Sequence, residues 1–286
     1  MFEVMEKRVL NPVVKLMEIY APHIARRAEP GQFVMLRVDE EGERIPLTVA
    51  DFDREKGGIT VVFQEVGRTT RLLGALNKGE RILDFAGPLG MPSHLGGVKR
   101  AAVVGGGLGT AIAFPQAKKL HRLGAEVDSI LGFRNRELII LEEEMGKYST
   151  RLFVATDDGS NGCKGFVTDI LEERIKEGSR YDLVIAIGPL RMMKAVCEKT
   201  KAYAIKTIVS MNPIMIDGTG MCGGCRVNVG GKIQFACIDG PDFDGHQVDF
   251  EEAIQRQAMY KEEEAADAEP HECRMGGGPY AQHVIK

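Results

Sequence analysis

Ala101-Ala102-Val103-Val104-Gly105-Gly106-Gly107-Leu108-Gly109-Thr110-Ala111 is the stretch that decides how this chain is read. Four small apolar residues suit a buried strand, and the glycine run turns that strand into a helix expected over Thr110–Leu123. At such a turn the free N–H groups and the helix dipole favour an anion, and backbone without side chains lets a diphosphate approach. Gly105, Gly106, Gly107, Leu108, Gly109 and Thr110 are therefore candidate nucleotide ligands. A tight strand-to-helix turn with no ligand would need the same glycines, so placement between strand and helix is what favours the nucleotide.

Downstream, strands expected over Glu126–Gly132, Leu152–Ala155, Asp182–Ile187 and Ala204–Val209 alternate with helices over Glu137–Met145, Gly165–Lys176 and Pro189–Thr200. That alternation predicts a parallel, doubly wound α/β sheet with right-handed crossovers. Ligands of such sheets sit beyond the strand C-termini. Thr156-Asp157-Asp158-Gly159-Ser160 and Gly188-Pro189 occupy such places, with Met192 just past the second. Met192 is equally consistent with a core position.

Upstream, short runs over Phe2–Leu10, Val13–Ala21, Gln32–Val38, Ile59–Glu65 and Arg81–Ala86 are broken by Gly and Pro. They predict a small antiparallel β barrel interrupted by one helix, Thr69–Leu76. Two segments of it carry chemistry: Arg44-Ile45-Pro46-Leu47-Thr48-Val49 and Gly67-Arg68-Thr69-Thr70. Arginine pairs with a diphosphate through two parallel hydrogen bonds. Gly67 to Thr70 opens a helix and is a second anion site, although Thr69 is also an ordinary helix cap.

Past Met211 glycine, cysteine and aspartate dominate. Asp217-Gly-Thr-Gly-Met-Cys222-Gly-Gly-Cys225 is followed after eleven residues by Cys237, across a hairpin expected over Arg226–Ala236 that turns at Gly230-Gly231. Thiolates suit iron–sulfur clusters and soft metals. A loop that wraps a cluster bends sharply and offers N–H groups to the sulfides, which glycine permits. The spacing is that of a plant-type ferredoxin with Asp217 where the first cysteine would stand. A structural zinc site of three thiolates and one oxygen is the competing reading, and Asp217 capping a turn, with Cys273 as fourth ligand, is another.

The bulk numbers narrow the field. With 286 residues the chain suits two compact domains plus an appendage. A net charge of −4 offers no basic footprint for nucleic acid. No apolar run reaches the roughly 18 residues needed to span a bilayer, and the first residues lack a signal-peptide apolar region, so no membrane partner and a cytoplasmic location are expected. The division expected is 1–97 barrel, 98–210 α/β domain, 211–250 cluster domain, and 251–286 C-terminal helix (Asp249–Ala268) and tail.

These three blocks, in this order, resemble the ferredoxin reductase superfamily over nearly the whole chain to about residue 250. Its flavin motif R-x-[YF]-[ST] is matched loosely by Arg44-x-x-Leu47-Thr48. Within it the chain resembles the electron-transfer subunit of dihydroorotate dehydrogenase, whose cluster has four cysteines. It also resembles the small subunit of NADH-dependent reduced ferredoxin:NADP oxidoreductase, which uses Asp-x4-Cys-x2-Cys-x11-Cys as here. The second resemblance is favoured. It implies FAD on the barrel, with Thr48 at the flavin N5 edge, NAD(H) on the α/β domain, and a [2Fe–2S] cluster on Asp217, Cys222, Cys225 and Cys237. It further implies a larger partner subunit with its own flavin and [4Fe–4S] clusters, and electrons bifurcated between NAD⁺ and ferredoxin. A redox sensor without turnover and a stand-alone flavin reductase are the alternatives outside these two families.

Overall fold

Alternating apolar positions and glycine turns shape the first part of the chain, and the computed structural model describes residues 1–259. Its strands are β1 (Phe2–Asn11), β2 (Val14–Tyr20), β3 (Phe33–Arg37), β4 (Ile45–Asp53), β5 (Gly58–Gln64), β6 (Arg81–Ile82) and β7 (Asp84–Leu89). Helices α1 (Pro22–Ala25) and α2 (Arg68–Ala75) lie between them. Every neighbouring pair is antiparallel, in the order β6-β1-β2-β5-β4-β3-β7. The two end strands are consecutive in the chain, and Leu83 N–H donates to Val38 C=O at 3.0 Å beside them, so the barrel nearly closes. Met17, Ile19, Val34, Leu36 and Phe63 fill its interior.

The next part is β8 (Arg100–Gly106), α3 (Gly109–Arg122), β9 (Glu126–Phe133), α4 (Glu142–Gly146), β10 (Arg151–Thr156), α5 (Val167–Lys176), β11 (Leu183–Ile187), α6 (Leu190–Ala202) and β12 (Thr207–Ser210). Beyond it come the hairpin β13 (Arg226–Val229) and β14 (Lys232–Phe235), then β15 (Asp242–Asp244) and α7 (Phe250–Gln257). The second sheet runs β10-β9-β8-β11-β12-β15, parallel except for β15. The chain winds outward from β8 through β9 to β10, then returns to β11 on the other side. The reversal between β8 and β11 opens the crevice where doubly wound sheets bind ligands. The barrel followed by a parallel α/β sheet is the fold class expected from the sequence.

Three differences from the sequence expectations have physical causes. The helix expected over Glu137–Met145 is broken into a 3-10 turn, Arg136–Leu138, and α4. Ile140 and Leu141 are both buried, and Leu141 takes φ +53°. Adjacent apolar residues sink into the core here only because the backbone leaves the helical path. The segment Ile45–Asp53, read for its motif, is also a nine-residue strand. Residues 242–244, given no element from the sequence, complete the edge of the second sheet. The helix expected from Asp249 is seen as α7, with the Asp249 carboxylate capping Glu252 N–H at 3.0 Å. The rest of that helix, Cys273 and the tail lie outside the described residues. Among those described, no helix is long and apolar enough to cross a membrane.

The apolar cores cross the boundaries between these parts. Phe33 and Met35 from the barrel, Val104 and Val209 from the second sheet, and Cys225, Ala236 and Cys237 from the hairpin share one buried cluster. A second joins Ala50, Val62 and Leu95 to Phe114 and Leu131. Lys118 on α3 also pairs with Asp51 on β4 at 2.5 and 2.8 Å.

At the opposite end of the second sheet, buried Asp128 accepts from Arg151 Nε at 2.8 Å and from the Tyr181 hydroxyl at 2.6 Å. A buried carboxylate is tolerated when its lone pairs are filled in this way. Tyr181→Phe removes one charged-acceptor bond while Arg151 stays, and is expected to destabilise this domain by about 2 kcal/mol. Urea unfolding followed in the α/β domain checks it; an unchanged midpoint would contradict the role given to the hydroxyl.

Candidate functional site

Strand β4 positions the first group. In antiparallel pairs, residues directly opposite point to the same face. Thr48 stands opposite Phe33 and Pro46 opposite Met35. Phe33 and Met35 pack into the shared core towards the second sheet, so Thr48 and Pro46 face that side too. Ile45, Leu47 and Val49 take the alternate positions against the barrel interior, Val49 fully buried. The period of two thus brings Thr48 to the inter-domain face, while the side chains of Leu47 and Val49 go to the other. Arg44 reaches Asp84 at 3.5 Å with its guanidinium largely exposed.

The start of α2 lies alongside. Thr69 Oγ1 donates to Glu43 Oε2 at 3.4 Å, which brings Gly67-Arg68-Thr69-Thr70 next to Arg44. Thr70 Oγ1 accepts from the N–H groups of Val66 (3.0 Å) and Gly67 (3.1 Å). A Cβ on Gly67 would meet nothing within 4 Å, so the helix opens onto free space. Arg44 and the N-terminus of α2 therefore lie side by side, and the start of a helix offers free N–H groups to an anion.

Across from it the glycine turn after β8 packs against the turn after β11. A Cβ on Gly106 would run into Met192 and Pro189, and one on Gly109 into the Ile187 carbonyl. Close packing therefore accounts for those two glycines. Gly107 differs: its φ is +54°, and a Cβ there would enter open space. Thr110 is wholly buried beneath the turn, with Oγ1 lacking a hydrogen-bond partner among the described residues. The structure thus gathers Gly105 to Thr110, Gly188, Pro189 and Met192 at the switch point. Leu108 is half-buried at the start of α3.

Asp157 and Asp158 lie two strands away, at the end of β10. Asp157 and Asp158 N–H groups donate to Phe133 and Arg134 carbonyls at 3.0 and 3.3 Å. The Ser160 hydroxyl, 2.6 Å from Asp158 Oδ1, holds the Asp158 carboxyl below its ordinary range. Arg136 N–H donates to Ser160 Oγ at 2.8 Å, so this loop and the one after β9 form one polar rim.

The cysteine loop folds back on itself through Gly218, Gly220 and Gly223, at φ +75°, +85° and +67°. These left-handed conformations are what the glycine spacing foretold. Cys225 and Cys237 Sγ lie 3.2 Å apart and buried, and burial pushes the Cys237 thiol up to about 12 in the metal-free chain. Cys222 is exposed, its Sγ accepting from Gly224 N–H at 3.4 Å. Asp217 Oδ1 and Oδ2 accept from Thr219 and Cys222 N–H, both at 2.8 Å, and the Thr219 bond leads in holding the Asp217 carboxyl below the usual carboxylate range. Among the described residues no three His, Cys, Asp or Glu side chains are gathered into a metal-holding group. The four residues nevertheless share one loop and its hairpin return, with two thiols in contact and N–H groups turned towards sulfur. That donor set suits a cluster of irons and sulfides.

The loop is seated on the barrel. A Cβ on Gly218 would collide with Met35 Cγ at 2.6 Å and crowd Leu89 Cδ1 at 3.2 Å. Met35 shares its face with Thr48, so the cysteine loop and the Thr48-bearing face of the barrel meet through one side chain. Sequence reasoning missed Met35 and Phe33 because they read as ordinary core residues in QFVMLRV.

Comparison with known proteins bears on the fold and on the cysteine segment. Residues 212–249 match the family described as the iron-sulfur cluster binding domain of dihydroorotate dehydrogenase B. A Thermotoga maritima homolog of the dihydroorotate dehydrogenase B (NAD(+)) electron transfer subunit is 44% identical, over 89% of this chain and 93% of its own. The electron transfer subunit of Geobacillus thermodenitrificans is 34% identical, over 79% and 88%. Among solved structures, one from work on NADH-dependent reduced ferredoxin-NADP oxidoreductase superposes with a TM-score of 0.87 at 42% identity, over 93% of this chain and 95% of the other. The cytochrome b5 reductase domain of Ulva prolifera nitrate reductase, at 17% identity and TM-score 0.58, shares the fold.

Gly107→Ala separates ligand cradle from structural turn. The left-handed φ costs a Cβ residue about 1 kcal/mol, which a folded domain survives. The methyl would occupy the open space above the turn, so the NADH Kd is expected to rise on the order of tenfold or more, as for removal of a backbone contact to an anion. Isothermal titration of the flavin-loaded chain reads this; unchanged affinity would assign Gly107 to the turn alone.

Proposed function

The chain belongs to the family of dihydroorotate dehydrogenase B electron-transfer subunits and their homologues, and from that membership we propose that it relays electrons between NAD(H) and a larger partner subunit in a ferredoxin:NADP oxidoreductase complex. It is an oxidoreductase subunit of the FAD, NAD(H) and [2Fe–2S] type. The observation that carries the finer reading is Asp217 at the first position of an otherwise all-cysteine ligand spacing, in a chain 42% identical to the ferredoxin-NADP oxidoreductase structure.

The residues divide the work as follows. Gly107 and the N-terminus of α3 receive the nicotinamide diphosphate, bordered by Gly188, Pro189 and Met192. Arg44 and the α2 N-terminus (Gly67, Arg68, Thr69, Thr70) receive the flavin diphosphate. Thr48 presents its hydroxyl to the N5 edge from the face it shares with Met35. Asp157 and Asp158 orient the ribose end from the rim after β10. Asp217, Cys222, Cys225 and Cys237 hold the two irons. When bound, FAD exchanges a hydride with NAD(H) and single electrons with the cluster, which is why the site needs alignment and not a protein acid–base pair. A carboxylate is a harder donor than thiolate, so Asp217 sets the cluster apart from its four-cysteine relatives in potential.

Exposed apolar side chains around the cluster loop support docking of the partner there. Ile214, Ile216, Ile238 and, at 89% exposure, Met221 rim the cysteines with uncovered apolar surface. Such a patch around a redox centre suits a subunit interface.

A second reading rests on the match of residues 212–249 to the dihydroorotate dehydrogenase B cluster family. Reconstitution with the partner that co-purifies decides between them. NADPH oxidation is expected to reduce NAD⁺ and ferredoxin together. NADH formation from dihydroorotate, with no ferredoxin reduction, would favour the second.

A further inference from the structure

Asp242 stands five residues past the cluster ligand Cys237, where all parts of the chain meet. Its residue is half-buried, but its carboxylate points inward. Oδ2 accepts from Ser93 Oγ at 2.5 Å and from Gln116 Nε2 at 3.1 Å, and Ser210 stands opposite Asp242 in the β12–β15 ladder. Ser93 lies in the linker between barrel and second sheet, Gln116 on α3, and Ser210 at the end of β12. The Asp242 side chain therefore fastens the strand leaving the cluster to the linker and to α3, while its backbone pairs with β12. The flanking backbone repeats the pattern: Met91 N–H donates to Gly240 C=O at 2.7 Å and Met211 N–H to Pro241 C=O at 2.9 Å.

The chemistry of this junction is costly. Desolvation raises the Asp242 carboxyl to about 6 against a smaller opposing pull from His94, no salt bridge reaches it among the described residues, and Oδ1 and Gln116 Oε1 are buried without hydrogen-bond partners. A well-packed apolar junction would avoid that penalty. Places where a chain keeps such a group are where its function constrains it. The α3–barrel contact does not need Asp242, since Lys118–Asp51 and the apolar cluster around Phe114 hold it. The cluster loop, by contrast, touches the barrel through Met35 and Leu89 and through the Asp242 junction.

We propose that Asp242 is a positioning residue for the flavin-to-cluster electron step, fixing the Cys237-bearing segment at its distance from the barrel. The inference rests on the electron-relay reading given above. The step it serves moves one electron from the NADH-reduced flavin to the oxidised cluster; the flavin is oxidised by one electron, one ferric iron becomes ferrous, and no bond forms or breaks.

The test is anaerobic stopped-flow mixing of the full, flavin- and cluster-loaded chain with NADH, reading flavin bleaching and cluster reduction separately, with EPR of the reduced cluster alongside. In Asp242→Ala, flavin bleaching should match the wild type and cluster content should persist, while cluster reduction slows on the order of tenfold, as expected for a loosened reacting pair. Asp242→Asn, which keeps an acceptor oxygen for Ser93, should restore most of the rate. A purely structural role would slow both phases together or lower cluster content, and would overturn the proposal, as would equal cluster-reduction rates in Asp242→Ala and wild type. If Asp242→Ala does not fold, Ser93→Ala decides: a partial slowing of cluster reduction alone supports the clasp, and no change overturns it. Failure of NADH to reduce any cluster in the wild type would instead sink the relay reading itself.

Discussion

The structure depends on a shared apolar core in which Phe33 and Met35 of the barrel, Val104 and Val209 of the second sheet, and Cys225 and Cys237 of the hairpin are buried together. Electron transfer asks that a flavin site, a nicotinamide site and a cluster keep fixed separations. Three independently folded domains on linkers would move relative to one another by default. Here the same side chains that bury the hairpin also carry the face on which Thr48 lies. Packing at interior density resists the drift that an open interface would allow. The cysteine loop thereby gains a rigid seat although most of its own apolar side chains lie exposed.

The candidate groups of the second sheet stand at the ends of its strands. The glycine turn closes β8, the Asp157–Ser160 loop closes β10, and Gly188-Pro189 closes β11. Thr48 sits within β4, held between two strands. Sites on such supports are set by the register of the sheet, not by loop conformation. The cluster loop is the exception. It relies on three left-handed glycines, on Asp217 bridging two N–H groups, and on Arg256 of α7 donating to Gly224 C=O at 3.2 Å. Asp217 thus already performs the turn-capping role that competes with ligation. The two roles are compatible, because a carboxylate has about four lone-pair sites.

Much of this was legible in the sequence because local signals and global fold agree. Ala101–Thr110 reads as strand, turn and helix at every level, and Gly230-Gly231 announces the β13–β14 hairpin it makes, with φ of +60° and +75°. What stayed hidden depends on tertiary partners. Nothing in Asp242-Phe243-Asp244 marks an edge strand until β12 offers it a ladder. The Ile139-Ile140-Leu141 run looks helical until burial of Ile140 and Leu141 forces the chain out of the helix. Met35 has no feature in sequence that distinguishes a residue touching Gly218 from any core methionine. Asp242 carries no signal of its own in the sequence, since its side-chain donors come from the distant residues 93 and 116.

The central claim is that Asp217, Cys222, Cys225 and Cys237 hold two bridged irons beside a flavin. Counting iron, acid-labile sulfide and flavin in the anaerobically purified chain tests it most directly, with EPR after reduction. The account gives two irons and two sulfides for each flavin and a signal from one unpaired electron per reduced cluster. A colourless protein containing one zinc and no labile sulfide would contradict it.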